Sequence, residues 1–259
     1  MSWVTKMTVL RTCLCRRRKS FWSRSRAIGS IAPKGSSCIV QNHQFCASWF
    51  FDNFSSRFLP RVAEHLELTG IAVGVGGVIA FTAAIIAYKQ NWFETPFSLF
   101  AAFLYTIPSL AFFELMVPIT GINRFSAEIA LVSYTLLVLY RNMIEGLRGV
   151  PAEIVDVARG SGFTRFQTFT RVELPLALPA ILAGLRIATV STISIATVAS
   201  FVVAKGLGAP IFTALQQEVF KTEIFAAGGI VVALALVADG LIVLAQRALT
   251  PWVRLGRAA

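Results

Sequence analysis

The chain has 259 residues, of which 56% are apolar and 14% charged, where soluble domains run roughly 45–50% and about 25%. That balance places the chain against lipid and excludes a disordered protein, which would be poor in apolar residues. All four cysteines precede residue 47, so residues 60–259 hold no thiol and one imidazole, His65; a Cys/His metal centre or thiol nucleophile is excluded there.

The formal net charge of +11 is uneven. Residues 1–59 carry ten Lys/Arg against one acid, Asp52, and the remaining 200 residues are nearly neutral. Arg16-Arg17-Arg18-Lys19 reads as the basic tail of a membrane protein, with no nucleic-acid partner. The leader is Arg- and Ser-rich and acid-poor, as organelle transit peptides are, and no apolar segment of a secretory signal follows it. Residues 1–57 are expected to be a basic leader that is disordered or not normally translated. Cys13, Cys15, Cys38 and Cys46 have no zinc-like spacing and are assigned no role.

Five membrane spans follow in chain order. Leu68–Tyr88 is uncharged over 21 residues, about 31 Å as a helix, enough to cross a bilayer. Its Gly70, Gly74, Gly76 and Gly77 suit close helix packing. Thr95–Phe113 is the second, and Pro108 within Thr106–Ser109 is expected to kink it. The third, Ser126–Met143, has an uncharged centre of only 12 residues, Ile129–Tyr140, with Glu128 and Arg141 snorkelling at its ends. Leu174–Ala204, interrupted by Pro175, Pro179, Gly184 and Arg186, is the fourth. Ile224–Gln246, containing Asp239, is the fifth.

Basic residues near the span ends set the orientation. Segments 89–94, 141–173 and 247–259 carry nine, and the opposite side has three, Arg124, Lys205 and Lys221. The 141–173 loop and the tail 251–259 are therefore expected in the cytoplasm. Five spans then put residue 60, and the basic leader with it, outside, against the same rule. An unseen sixth span, a folded-back leader or an untranslated leader would each remove the conflict.

The segment 144–173 is too patterned for a passive connector. Pro151 suits a first helical turn, Glu153 and Asp156 favour its N-terminal end, and Ile154, Val155 and Ala158 give an apolar side. Gly160 and Gly162 break that helix. Thr164 and Gln167 read as a capping box opening a second one, along which Phe163, Phe166, Phe169 and Val172 recur at every third position. Leu174-Pro175 is expected to end it at the membrane. Two readings stand: a surface hairpin burying its phenylalanines among headgroups, or a knob that fills a groove on a soluble partner.

Asp156-Val157-Ala158, three residues, Gly162, nine residues, then Val172-Glu173-Leu174-Pro175 resembles the EAA signature of permease subunits of bacterial ATP-binding-cassette importers. Every spacing is kept, with Asp for Glu, Val for the second residue and Val for Ile. Tyr105–Ala111, Arg141-Asn142, Ala152–Arg171, Gly184–Thr189 and Gly206–Gly208 are similar to the osmoprotectant branch, which imports glycine betaine, choline or carnitine. The resemblance covers residues 58–250. It implies an all-α integral membrane protein of the type I importer permease (MetI-like) architecture in the bacterial inner membrane. The partners it implies are an ATPase subunit, an extracytoplasmic substrate-binding protein and a second permease, identical or related. No cofactor, metal or catalytic residue is implied, and the chain has no G-x-x-x-x-G-K-[ST] phosphate loop. Within the loop, which includes Ala158, the resemblance assigns shape to Asp156 and Gly162, groove-filling to Phe163, Phe166 and Phe169, and rim contacts to Arg159 and Arg165. Leu174 and Pro175 close the motif.

Charges within the spans face protein or water. Arg186 and Asp239, with Pro108, are the candidates for the translocation path. The two charges would pair and gate the pore, pair as a structural brace, or leave Asp239 to meet a cationic headgroup. Phe97, Phe100, Phe103, Tyr105, Phe112 and Phe113 offer aromatic faces for a quaternary ammonium group or simply pack in the bundle. Alternatives are the same architecture importing an amino acid such as methionine or proline, and a non-transport scaffold. An intramembrane enzyme lacks a nucleophile with its base.

Overall fold

A computed structural model describes residues 45–216 and 221–252, all of whose regular elements are helical. In chain order they are α1 (Ala47–Asn53), a π-helical turn (Phe54–Phe58), α2 (Leu59–Lys89), α3 (Asn91–Thr106), α4 (Ser109–Thr120) and α5 (Arg124–Arg148). After these come α6 (Ala152–Gly160), α7 (Arg165–Thr168), a second π turn (Phe169–Glu173), α8 (Leu174–Val203), α9 (Gly208–Gln216) and α10 (Lys221–Leu249).

Side-chain bonds between helix ends fix the topology. On one face, Arg124 of α5 binds Glu67 of α2, and Arg61 of α2 donates to the carbonyl of Ala204 just past α8. On the opposite face, Arg148 at the end of α5 pairs with Glu94 of α3, and the Tyr88 ring of α2 lies 6.5 Å from that of Phe169. We call these the far face and the loop face. The chain crosses between them five times: through α2, the α3–α4 pair, α5, α8 and α10.

The α3–α4 pair is bent by 97°. Pro108 caps α4 at the break, so the expected kink is a full change of direction. The Ile107 carbonyl, freed from the helix, accepts the Tyr134 hydroxyl; in hydrocarbon such a group must find a protein partner. Because α3 starts beside Arg148 and α4 ends where Thr120 meets Ser126, the pair crosses as one broken span.

Helix α5 is the inner member of the bundle. Its apolar window is 61% buried, against 6% for α10, and it packs on α2, α3, α4 and α8. This accounts for its weak hydropathy: Ser126, Ser133 and Thr135 face other helices, so little of it needs to suit lipid. Of the α2 glycines, Gly76 is the contact residue, since a Cβ there would lie 2.0 Å from Thr135 Oγ1. The positions of Gly70, Gly74 and Gly77 have nothing within 4 Å, so they are not the packing face that their spacing suggested. On the other side of α5, a Cβ at Gly184 would come 2.4 Å from Asn142 Cβ.

Three boundaries differ from expectation. Residue 57 is not an edge: helix runs unbroken from Ala47 to Lys89, so residues 47–57 are structured rather than disordered. Cys46, Trp49 and Phe58 bury against Ala226 and Ala227 of α10, and Arg57 lies 3.7 Å from Glu223. The polar run 52–57 concealed this, because its support comes from a helix about 170 residues away. The expectations for residues 1–44 lie outside the described residues, as do those for 253–259.

The second difference is that Leu174-Pro175 does not end a helix. The run Arg165–Val203 is continuous over 39 residues, because the π turn at 169–173 shifts the hydrogen bonding (Leu174 N–H donates to the Phe169 carbonyl) just where Pro175 has no N–H to offer. Third, the loop is shorter than 144–173, since 144–148 still belong to α5 and 165–173 already belong to the rod.

Substituting Gly184→Ala should destabilise by about 1–3 kcal/mol, the range for overpacking, and lower the thermal midpoint of the detergent-purified protein. Gly74→Ala should leave it equal or higher.

Candidate functional site

The loop-face site is built on two helix termini stitched back to back. Pro151 starts α6, and Ser161 N–H donates to the Val157 carbonyl at its end. Gly162 then takes φ +86°, its N–H bonding the Arg159 carbonyl at 3.0 Å while the Phe163 N–H bonds the Ala158 carbonyl at 3.2 Å. This is the doubly bonded Schellman ending, and a side chain in that left-handed conformation is strained by about 1–2 kcal/mol. Two residues later Thr164 opens α7. Its hydroxyl accepts the Gln167 N–H at 3.3 Å, and Gln167 Oε1 accepts the Thr164 N–H at 2.9 Å. The capping box read from sequence is present.

Beneath, α6 rests on α7 and on the 169–173 turn, with Val155 and Ala158 as its buried residues. Phe169 turns inward, half-buried against Tyr88, so it does not join the other two phenylalanines. Glu173 is buried and lies beside the Tyr88 hydroxyl. Leu174 and Pro175 are half-buried at the root of α8.

What faces outward is an apolar patch with charged edges. Phe166 is 75% exposed, Val157 70%, Ile154 42% and Phe163 36%, and Asp156, Arg159 and Arg165 are exposed around them. Sequence reading missed Val157 as a contact residue, having taken it only as a motif position, and placed Ile154 on the buried side. The signal was available: Ile154 and Val157 are three apart, the helical spacing for one face. The 39-residue run Arg165–Val203 is about 58 Å long, well beyond a bilayer of about 40–45 Å with headgroups. Its Val203 end is held at the far face near Arg61, so the run is long enough for its Arg165 end to project past the headgroups.

Within the spans, Arg186 of α8 and Asp239 of α10 are brought together. Arg186 donates through Nε to Oδ1 and through Nη2 to Oδ2, the latter at 2.8 Å. Arg186 is 12 residues past Leu174 and 17 before Val203, about 18 Å and 25 Å along the helix. The pair lies on the surface of the chain, with side chains 47% and 28% exposed. Pro108 is exposed at the α3–α4 break. Phe112 and Phe113 are core residues, and Phe97 packs 4.7 Å from the Tyr140 ring; Phe100, Phe103 and Tyr105 are exposed. Among the described residues no group of three His, Cys, Asp or Glu is placed to hold a metal ion.

Residues 74–254 match the family described as the binding-protein-dependent transport system inner membrane component. The chain is 31% identical to the glycine betaine/carnitine/choline transport system permease protein OpuCB of Bacillus subtilis (strain 168), over 78% of this chain and 93% of that protein. It is 38% identical to the ergothioneine transport permease/ergothioneine binding protein EgtU of Helicobacter pylori (strain G27), over 64% of this chain and 29% of that protein. Its fold is similar to that of a chain in inward-facing structures of the MetNI methionine ABC transporter, with TM-score 0.67 at 20% identity, covering 73% of this chain and 94% of that one. The chain belongs to the family of inner membrane components of binding-protein-dependent transport systems. It is a membrane-spanning transport subunit with the MetI-type fold.

Removing either cap should loosen the loop locally. Gly162→Ala, through strain of about 1–2 kcal/mol, and Thr164→Ala, through loss of about 1 kcal/mol, should speed amide hydrogen exchange at residues 162–167 by mass spectrometry. Exchange in α5 should not change.

Proposed function

We propose that this chain is the permease subunit of an ATP-driven importer for small quaternary-ammonium solutes such as glycine betaine, carnitine or choline. The observation that carries the mechanism is the exposed patch Ile154–Val157–Phe163–Phe166, held clear of the membrane by paired helix caps. Apolar side chains in that number on a rigid, water-facing tip are a docking surface and not a packing remnant. Its partner is a separate ATPase subunit, since the chain has no phosphate-binding loop of its own.

The loop face is cytoplasmic, supported by the nine basic residues on its segments against five on the other side, Arg57, Arg61, Arg124, Lys205 and Lys221. When nucleotide draws two ATPase subunits together, each carries one tip with it. The tip is continuous with α8, so its displacement tilts a membrane-spanning rod and opens the path toward the far face. Nucleotide shifts the two states only by the difference in its interaction with them, which makes rigidity of the 151–173 unit the requirement. Asp156 and the arginines 159 and 165 supply polar contacts at the rim. The carboxylate in the first turn of α6, where it favours the helix, is that of Glu153.

A second permease, identical or related, faces this one, which suits the almost wholly exposed apolar surface of α10. The solute arrives at the far face from a binding protein. The relative EgtU, whose name joins permease and binding protein, supports that arrangement. Solute class is supported by the relatives that match over most of their length.

Phe166→Asp and Val157→Asp should each abolish uptake of radiolabelled glycine betaine and choline in a transport-deficient host carrying the cognate ATPase and binding protein. The protein should stay at normal level in the membrane, and the ATPase should no longer co-purify with it. Normal uptake by Phe166→Asp removes the docking assignment.

A further inference from the structure

The ion pairs among the described residues fall into two groups. Arg57–Glu223, Arg61–Glu64, Arg124 with Glu67 and Glu128, and Arg148–Glu94 all sit at helix ends, where water or headgroups screen them. Arg186–Asp239 alone lies deep in the spans, and it is bidentate yet solvent-accessible on the chain's surface. A charge at that depth facing lipid is destabilised by several kcal/mol. Arg186 also heads a stripe on α8: Val190, Ser194 and Thr197 follow at helical spacing, none of them buried. The hydroxyls of Ser194 and Thr197 bond carbonyls one turn back, which leaves their oxygens able to accept from water. A charged pair heading a hydroxyl-bearing stripe suits the wall of a hydrated path better than a lipid-facing surface.

Resting on the solute class proposed above, we propose that Arg186 and Asp239 form a transit site specific for zwitterions. Betaines such as glycine betaine and carnitine carry a carboxylate and a quaternary ammonium group. The solute carboxylate takes the place of Asp239 on the Arg186 fork, a planar donor pair that matches a carboxylate. The ammonium end lies against the freed Asp239 carboxylate. Charge balances throughout: a neutral pair meets a neutral solute, every charge has a partner before and after, and no net charge enters the low-dielectric zone. The exchange of one ion pair for two keeps binding weak, as passage requires. A cation without a carboxylate, such as choline, cannot engage the fork, because it would leave Arg186 unpaired in the membrane. Choline therefore passes with the Arg186–Asp239 pair closed.

The test uses the whole complex, with ATPase and binding protein, in proteoliposomes, and reads the uptake ratio of glycine betaine and carnitine to choline. The double variant Arg186→Gln/Asp239→Asn removes both charges and leaves neither unpaired. It should lose at least tenfold in the zwitterion-to-choline ratio while ATP hydrolysis stimulated by loaded binding protein persists; Arg186→Lys, which keeps the charge and loses the fork, should fall between. If the wild-type complex moves the zwitterions alone, that ATP hydrolysis replaces choline as the reference. An unchanged ratio in the double variant overturns the proposal, and so does equal loss of all solutes; either makes the pair a brace. A wild-type complex that moves neither zwitterion nor choline defeats the solute class itself, and the transit site falls with it.

Discussion

The closeness of α5 to its neighbours is what the bundle depends on. Lipid tails are as apolar as leucine, so helices in a bilayer gain little from hiding apolar surface from one another and associate through tight packing. Gly76 lets α2 close on Thr135, and Gly184 lets α8 close on Asn142, so α5 is held on both sides by backbone-level contacts. The broken α3–α4 span lies over it, with Phe97 on Tyr140 and Phe112 on Tyr134. Of the spans, α10 stands outside this arrangement, touching α1, α8 and α9. That leaves a firm interior and one loosely covered flank, where the Arg186–Asp239 pair also lies.

A second constraint is that no backbone polar group can go without a partner in hydrocarbon. Two of the prolines that interrupt the helical ladder, Pro108 and Pro175, are handled differently. At Pro108 the chain turns away and a tyrosine hydroxyl bonds the carbonyl left behind. At Pro175 the helix absorbs the missing donor in one wider turn and continues straight on. The first device divides a span into two arms, and the second joins a surface helix to a span.

Sequence alone foretold the five crossings, the break at Pro108 and the capping box at Thr164, because each rests on local chemistry: apolar run length, a missing N–H, a side chain three residues from its backbone partner. It failed where the deciding partner was distant. The helix at 47–58 depends on Ala226 and Ala227, and the glycine face of α2 that makes contact was chosen by Thr135, which sits on another span. It also failed at Pro175, where the usual rule that proline stops a helix gave way to a π turn that no short-range pattern announces. Within the site, the outward face of α6 was misjudged at Ile154 because both sides of that helix carry apolar residues, and only the position of α7 beneath it decides between them.

The union of α7 with α8 makes one shaft of what would otherwise be two hinged pieces. Phe166 stands near one end, Arg186 partway along, and the Ser200–Lys205 hydrogen bond that knots the far-face turn at the other. A stiff shaft works as a lever in both directions, and thermodynamic linkage makes the two directions equal in free energy. Under the proposed function, an event that tightens the far-face turn would therefore be felt by the subunit that grips the opposite tip, to the same degree that gripping the tip rearranges the turn.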